Sequence, residues 1–161
     1  MSNLVPRHKM LAFYGVPGTG QSGYVFQRMK FFTELGLSKN PNEYSRKYVD
    51  EATERTDITA YSPEIGYAFD KHRTNAVLTD IVSITDGEKL GADAVRPIVW
   101  VDTETGKGFM RDYTVIPDSE GDDNQVYTYS GTFKANGELT EVTVTSSDNW
   151  MTIQTTIPDG E

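Results

Sequence analysis

Residues 15–22, GVPGTGQS, have the glycine spacing of a phosphate-cradling loop, G-x-x-x-x-G-K-[ST], but lack its lysine. Gln21 stands in the lysine position, and a neutral amide supplies no point charge to a nucleotide's terminal phosphates. Further on, Ile98-Val99-Trp100-Val101-Asp102 imitates the apolar strand that ends in a magnesium-binding aspartate. The residues after Ser22 alternate as a strand, so the parallel β-α-β setting of such a loop is missing. The glycines therefore read as flexibility in an arm, and no nucleotide cofactor is expected.

Four acids, Asp118, Glu120, Asp122 and Asp123, crowd one short link, as calcium ligands do. The closing position of a helix-loop-helix calcium loop falls near Tyr129, which is not a glutamate, so the link reads as an exposed acidic loop. His8 and His72 lie outside any metal spacing, and no Ser, His and Asp set forms a recognisable triad. With no cysteine in the chain, disulfides, thiolate nucleophiles and cysteine-based zinc sites are all excluded. No metal, cofactor or catalytic residue is expected.

Elements must then carry the function as surfaces. The chain has 161 residues, 37% hydrophobic and 11% aromatic, enough for one folded domain with appendages. No run approaches a membrane span, and the chain reads as soluble with no membrane partner. A formal net charge of −9 argues against nucleic-acid binding, because phosphate contacts need Lys and Arg. That charge is unevenly placed: Arg7, Lys9, Arg28 and Lys30 precede the first acid, Glu34, whereas from Asp112 onward Lys134 is the only base among ten acids. A basic head and an acidic tail suit head-to-tail contact between copies.

Residues 1–23 are rich in Gly and Pro and read as an N-terminal arm. The domain proper is expected over 24–157, followed by a short tail at 158–161. Period-2 alternation marks strands over 24–33, 47–50, 58–70, 109–116 and 125–135, with a last one over 151–157. Residues 94–102 also read as a strand, which Pro97 places at an edge or a bulge. One helix is expected over about 75–86, capped by Asn75 or Thr74, burying Val77, Leu78, Ile81, Val82 and Ile84, and stopped by Asp86-Gly87. Asn136-Gly137 has the composition of a type I′ hairpin turn. The predicted fold is mainly β: an antiparallel β-sandwich or barrel with one flanking α-helix, an N-terminal arm and a long inter-strand loop.

That loop, residues 36–57, GLSKNPNEYSRKYVDEATERTD, is too long and too polar for an ordinary hairpin connection. It sets Lys39, Arg46, Lys47 and Arg55 against Glu43, Asp50, Glu51, Glu54 and Asp57. Tyr44 and Tyr48, with Tyr61 beyond, sit among charges and read as contact residues for another subunit.

The sequence SKNPNEYSRKYVDEATERTD running into YSPEIGYAFD, then TDGEKLG after the helix, then VIPDSEGDD before YTYSGTFKANGE, resembles the bacteriophage major tail protein (tail tube) family over roughly residues 26–150. The resemblance implies a structural, non-enzymatic virion protein whose β-sandwich forms hexameric rings that stack into a hollow tail tube for genome delivery. It implies contacts with other copies and with tail partners such as the tape measure, terminator and baseplate or tip proteins. It implies that phage DNA passes through without specific binding. The location implied is the virion tail, assembled in the cytoplasm of the bacterial host. The loop would reach a neighbouring subunit through Lys39, Glu43, Tyr44, Arg46, Lys47, Tyr48, Asp50, Glu51, Glu54 and Arg55, and the arm would bridge subunits through Arg7 and Lys9. Rival readings are a head-decoration or tail-completion protein of similar fold, and a degenerate nucleotide-binding protein.

Overall fold

The computed structural model describes residues 4, 6, 9–17, 24–121, 125–146 and 150–156. Among the described residues, eleven strands and one α-helix form in the order β1 (Met10–Pro17), β2 (Tyr24–Arg28), β3 (Phe32–Ser38), β4 (Pro41–Arg46), β5 (Arg55–Tyr61), β6 (Glu64–Asp70), α1 (Ala76–Asp86), β7 (Val95–Asp102), β8 (Lys107–Glu120), β9 (Thr128–Ala135), β10 (Thr140–Thr145) and β11 (Thr152–Thr156). All of the strand pairs are antiparallel.

Six strands pair in a closed cycle. β1 joins β2, β2 joins β11, β11 joins β10, β10 joins β8, β8 joins β7, and β7 returns to β1. Strand alternation then decides the packing. Phe13, Phe26, Val99, Val101, Val142, Val144 and Ile153 point into this small barrel and fill it. The intervening Ala12, Tyr14 and Ile98 face outward into a second core. β8 is long enough to leave the barrel, and its far half pairs with β9, which continues to β6 and β3 as an open wing. The second core joins Tyr67, Phe69, Tyr113, Tyr129 and Phe133 of that wing to Val77, Leu78, Ile81 and Ile84 of α1.

The helix starts where Asn75 accepts a hydrogen bond from the Leu78 N–H at 3.1 Å, satisfying one of the open donors of the first turn. Val82, expected in its buried face, is only half-buried. Beneath the helix, Asp80 Oδ2 accepts from Tyr14 Oη at 2.5 Å and from Arg96 Nε at 2.9 Å. This joins the helix to β1 and β7 through a nearly buried ion pair. Burial, followed by the Asp80 carboxylate, pushes the Tyr14 hydroxyl well above the ordinary tyrosine range.

Several sequence expectations change. Residues 10–17 are not arm but an inner barrel strand, with Phe13 and Tyr14 fully buried. Gly15 is required there by close packing: a Cβ on it would lie 2.6 Å from Pro97 Cγ. Pro97 likewise belongs to an inner strand; the β1–β7 ladder stops at the Tyr14–Ile98 pair, one position before the residue with no N–H to give. The expected strand over 24–33 breaks between β2 in the barrel and β3 in the wing, and Phe31 between them has φ of 69°.

Asn136-Gly137 is not a type I′ turn. β9 and β10 do not pair, and neither residue has positive φ. Both strands run along the same edge of β8, β9 against Tyr113 to Glu120 and β10 against Lys107 to Met110, so the Asn-Gly segment is a jog in one continuous track. The Asn136 N–H holds the jog by donating to the Asp112 carbonyl at 2.8 Å. The acidic link also shrinks, because β8 runs on through Asp118 to Glu120 past a bulge at Pro117.

Candidate functional site

The expected long loop is a β-hairpin. β3 continues to Ser38, the chain turns at Asn40 with φ of 47°, and β4 pairs with β5 in a separate two-stranded sheet. The expected strand over 47–50 is instead the coil and turn at the hairpin's tip, and the strand expected over 58–70 divides into β5 and β6. Nearly every residue of this hairpin is exposed, including Tyr44, Tyr48, Ile58, Tyr61 and, at the tip, Val49. It has no core of its own.

Charge and aromatic contacts bind the two strands instead. Tyr44 faces Asp57 and Arg46 faces Arg55 on one side of the ladder. Arg46 reaches Asp57 at 2.6 Å and donates from Nε to Tyr48 Oη at 2.8 Å, while its guanidinium lies 5.2 Å from the Tyr44 ring and 5.5 Å from that of Tyr48. The Tyr48 hydrogen bond, then Asp57, raises its pKa further. Arg55 forms a fork with Glu51 through bonds of 2.9 and 2.5 Å and also approaches Tyr48. Arg46, Arg55, Glu51 and Tyr48 are thus brought together within one hairpin, where sequence reasoning cast them as contacts to another subunit. Lys39, Glu43, Lys47, Asp50 and Glu54 form no ion pair among the described residues.

The N-terminal candidates sit elsewhere. Lys9 precedes β1, and its carbonyl accepts from Thr103 N–H and Oγ1, both at 3.0 Å. Arg7, His8, Gln21 and the calcium candidates Asp122 and Asp123 lie outside the described residues. Ile98 to Asp102, the imitation of a magnesium-binding strand, runs antiparallel between β1 and β8. No cluster of His, Asp or Glu suited to a metal occurs among the described residues, nor does a helix long and apolar enough to cross a membrane.

Two further surfaces escaped the sequence reading. β3 is the outer strand of the wing, with its second edge unpaired among the described strands. Lys71, His72 and Arg73, between β6 and α1, form a basic cluster against the stacked Phe31 and His72 rings, whose centroids lie 4.2 Å apart. The run of three bases was visible, but the Phe31 contact depends on where the chain leaves the barrel.

The fold, a curled antiparallel sheet closed into a barrel with a wing, one packed helix and a hairpin, is similar to that of chains in three solved particle structures. A chain from the tail of an empty gene transfer agent particle, refined with C6 helical symmetry, matches with a TM-score of 0.61 at 14% identity, over 83% of this chain and 96% of that one. A chain from the virion of a native gene transfer agent particle matches with a TM-score of 0.57 at 13% identity, over 84% and 97%. A chain from the six-fold symmetrised baseplate of the anti-feeding prophage matches with a TM-score of 0.55 at 10% identity, over 88% and 97%. No protein-family model and no curated protein matches the sequence.

Proposed function

We propose that this chain is a non-enzymatic tail tube subunit that assembles into stacked hexameric rings in the tail of a phage-type particle. The observation that carries the reading is the match of nearly the whole fold to a tail built with C6 symmetry. Two features of the chain support it. The outer position of β3, paired on one side with β6 and with no second partner among the described strands, is an edge that pairing around a ring would cover. The β4–β5 hairpin, a two-stranded sheet with no buried face, is marginal alone and gains from resting on a neighbour.

In this reading the hairpin tip, with Lys47, Tyr48, Val49 and Asp50, touches the adjacent copy, and Arg7 and Lys9 contribute from the N-terminal side. Net acidity keeps DNA passing through, since like charges repel over a Debye length of about 8 Å at physiological salt. The tape measure, terminator and baseplate proteins are the expected tail partners, met during assembly in the host cytoplasm.

Electron microscopy of the particle and of purified protein tests the proposal. Six-fold hollow tubes of this chain are expected, and its absence from the tail overturns the reading. The baseplate likeness favours one alternative, a tail-completion protein. Copy number separates the two, because a tube subunit is abundant and a completion protein scarce.

A further inference from the structure

The Asn-Gly segment that joins β9 to β10 has a chemistry that its role as a jog does not use. Asn136-Gly137 is the only Asn-Gly pair in the chain, and both residues are exposed. Where glycine follows asparagine, no side chain shields the next main-chain nitrogen, which can then reach the asparagine's own side-chain carbonyl carbon. Three local contacts govern that approach here. The Gly137 N–H donates no hydrogen bond among the described residues, so the attacking nitrogen is not engaged. The Asp112 side chain lies against the glycine: a Cβ on Gly137 would stand 3.5 Å from Asp112 Cβ and 3.9 Å from its Oδ2, which places a carboxylate beside the amide proton. Opposing both, Asn136 Nδ2 donates to Thr114 Oγ1 at 3.0 Å and holds the side-chain amide against β8.

Asp86-Gly87, the other pair among the described residues able to close the same five-membered ring, is arranged differently. The Gly87 N–H donates to the Ser83 carbonyl at 3.0 Å and ends the helix, and the Asp86 carboxylate accepts from Tyr129 Oη at 3.3 Å. Its attacking nitrogen is already committed.

We propose that Asn136 is a self-modification site, with the Gly137 nitrogen as the attacking atom and the Thr114 hydrogen bond as the brake. A bond forms between Gly137 N and Asn136 Cγ while the bond from Cγ to Nδ2 breaks. The Gly137 amide proton passes to a base, and Nδ2 departs as ammonia. Water then opens the cyclic imide at either carbonyl, leaving aspartate or isoaspartate, with no change of oxidation state. The aspartate product adds a carboxylate beside Asp112 and Glu138. The isoaspartate product routes the main chain through Cβ and lengthens it by one atom, in a segment whose span sets β9 and β10 on the same edge of β8. Because β10 also pairs with β11 and closes the barrel, the added atom loosens that closure from the jog inward. The site is thus a slow timer on the barrel, and it needs no second copy.

The test holds the purified full chain in warm, mildly alkaline buffer, beside the same chain unfolded in urea, and samples both over time. Peptide mapping by mass spectrometry reads amide-to-acid conversion at each residue, and methyl transfer by an isoaspartyl methyltransferase reads the isoaspartate form. Conversion is expected at Asn136 of the folded protein, slower than in the unfolded chain, with Asp86 unchanged. Thr114→Val should speed it about two- to tenfold, the range set by one hydrogen bond of ordinary net strength. Thr114→Ser keeps the hydroxyl and should keep the slow rate, whereas Asp112→Asn should slow conversion further. In the isoaspartate-bearing fraction, amide exchange should quicken across β10 and leave β6 protected. An Asn136 that stays intact in the folded protein while the unfolded chain converts fully overturns the site. Isoaspartate appearing equally at Asp86 overturns the role given to the Gly137 nitrogen, and a Thr114→Val rate equal to that of the unmodified protein overturns the brake.

Discussion

The barrel and the β4–β5 hairpin are both antiparallel β-structure of similar strand length, yet they are held by opposite means. In the barrel every strand has two neighbours and an apolar side chain in a common interior, so burial supplies the stability. In the hairpin each strand has one neighbour and both faces are wet, so the ladder is supported by the Arg46–Asp57 ion pair, the local Arg55–Glu51 pair, Arg–Tyr contacts and exposed hydroxyl hydrogen bonds such as Ser45–Thr56, with no buried apolar face. The first is finished when the monomer folds. The second has no buried face of its own, and the proposed function gives it one against a neighbouring copy.

The comparison breaks most sharply if the barrel tolerates loss of an interior side chain. Phe13 is fully buried and lies 6.4 Å, ring to ring, from Trp150. Phe13→Ala should cost about 3–5 kcal/mol of stability by denaturant unfolding. A loss no larger than that of a surface substitution would mean that the cycle of strands is not the stabilising unit.

Next comes the Asp80 junction between helix and barrel. Removing its carboxylate leaves the Arg96 guanidinium, 8% exposed, without its partner, so Asp80→Ala should cost about 3 kcal/mol. The same junction predicts a pH dependence. Burial raises the hydroxyls of Tyr14, Tyr67 and Tyr113 above their unfolded value of 10.0, so the folded state holds these protons more tightly. Their contribution is complete below pH 10 and falls as pH rises beyond it, when the unfolded chain ionises first. Thermal melts across that range should show stability declining above pH 10, and Tyr14→Phe should flatten the decline.

Much of this architecture was legible in the sequence, and the failures share a cause. The helix, its Asn75 cap and the alternation in β6, β8 and β9 are local signals, and the local reading found them. The assignment of 10–17 to an arm weighed glycines and prolines, but what decides their placement is Pro97, 82 residues beyond Gly15, against which only a glycine fits. Asn136-Gly137 misled for the same reason: its composition permits a hairpin, while the partner of β10 is set by the length of β8. In the candidate site, residue types were legible but partners were not, since Arg46 and Asp57 meet only once β4 and β5 are in register. Gly15→Ala tests this lesson. A flexible arm would absorb the methyl group, whereas the barrel should lose about 1–3 kcal/mol to overpacking against Pro97.

The smallest effect on stability, and the sharpest test of the contrast, lies at the hairpin itself. Arg46 and Lys47 are adjacent and were equivalent in the sequence reading, but Arg46 is tied to Asp57 and Tyr48 of its own hairpin while Lys47 forms no ion pair among the described residues. Lys47→Glu should therefore leave the melting transition unchanged and weaken tube formation directly, because its charge is free to meet another copy. Arg46→Glu places a carboxylate against Asp57 and should loosen the hairpin first, visible as faster amide exchange over β4 and β5 with the barrel still protected. Restoring the pair with Asp57→Arg should recover both exchange protection and assembly in the Arg46→Glu background, but neither change should rescue Lys47→Glu. Equal assembly defects with equal exchange would erase the distinction between a residue that shapes the hairpin and one that uses it.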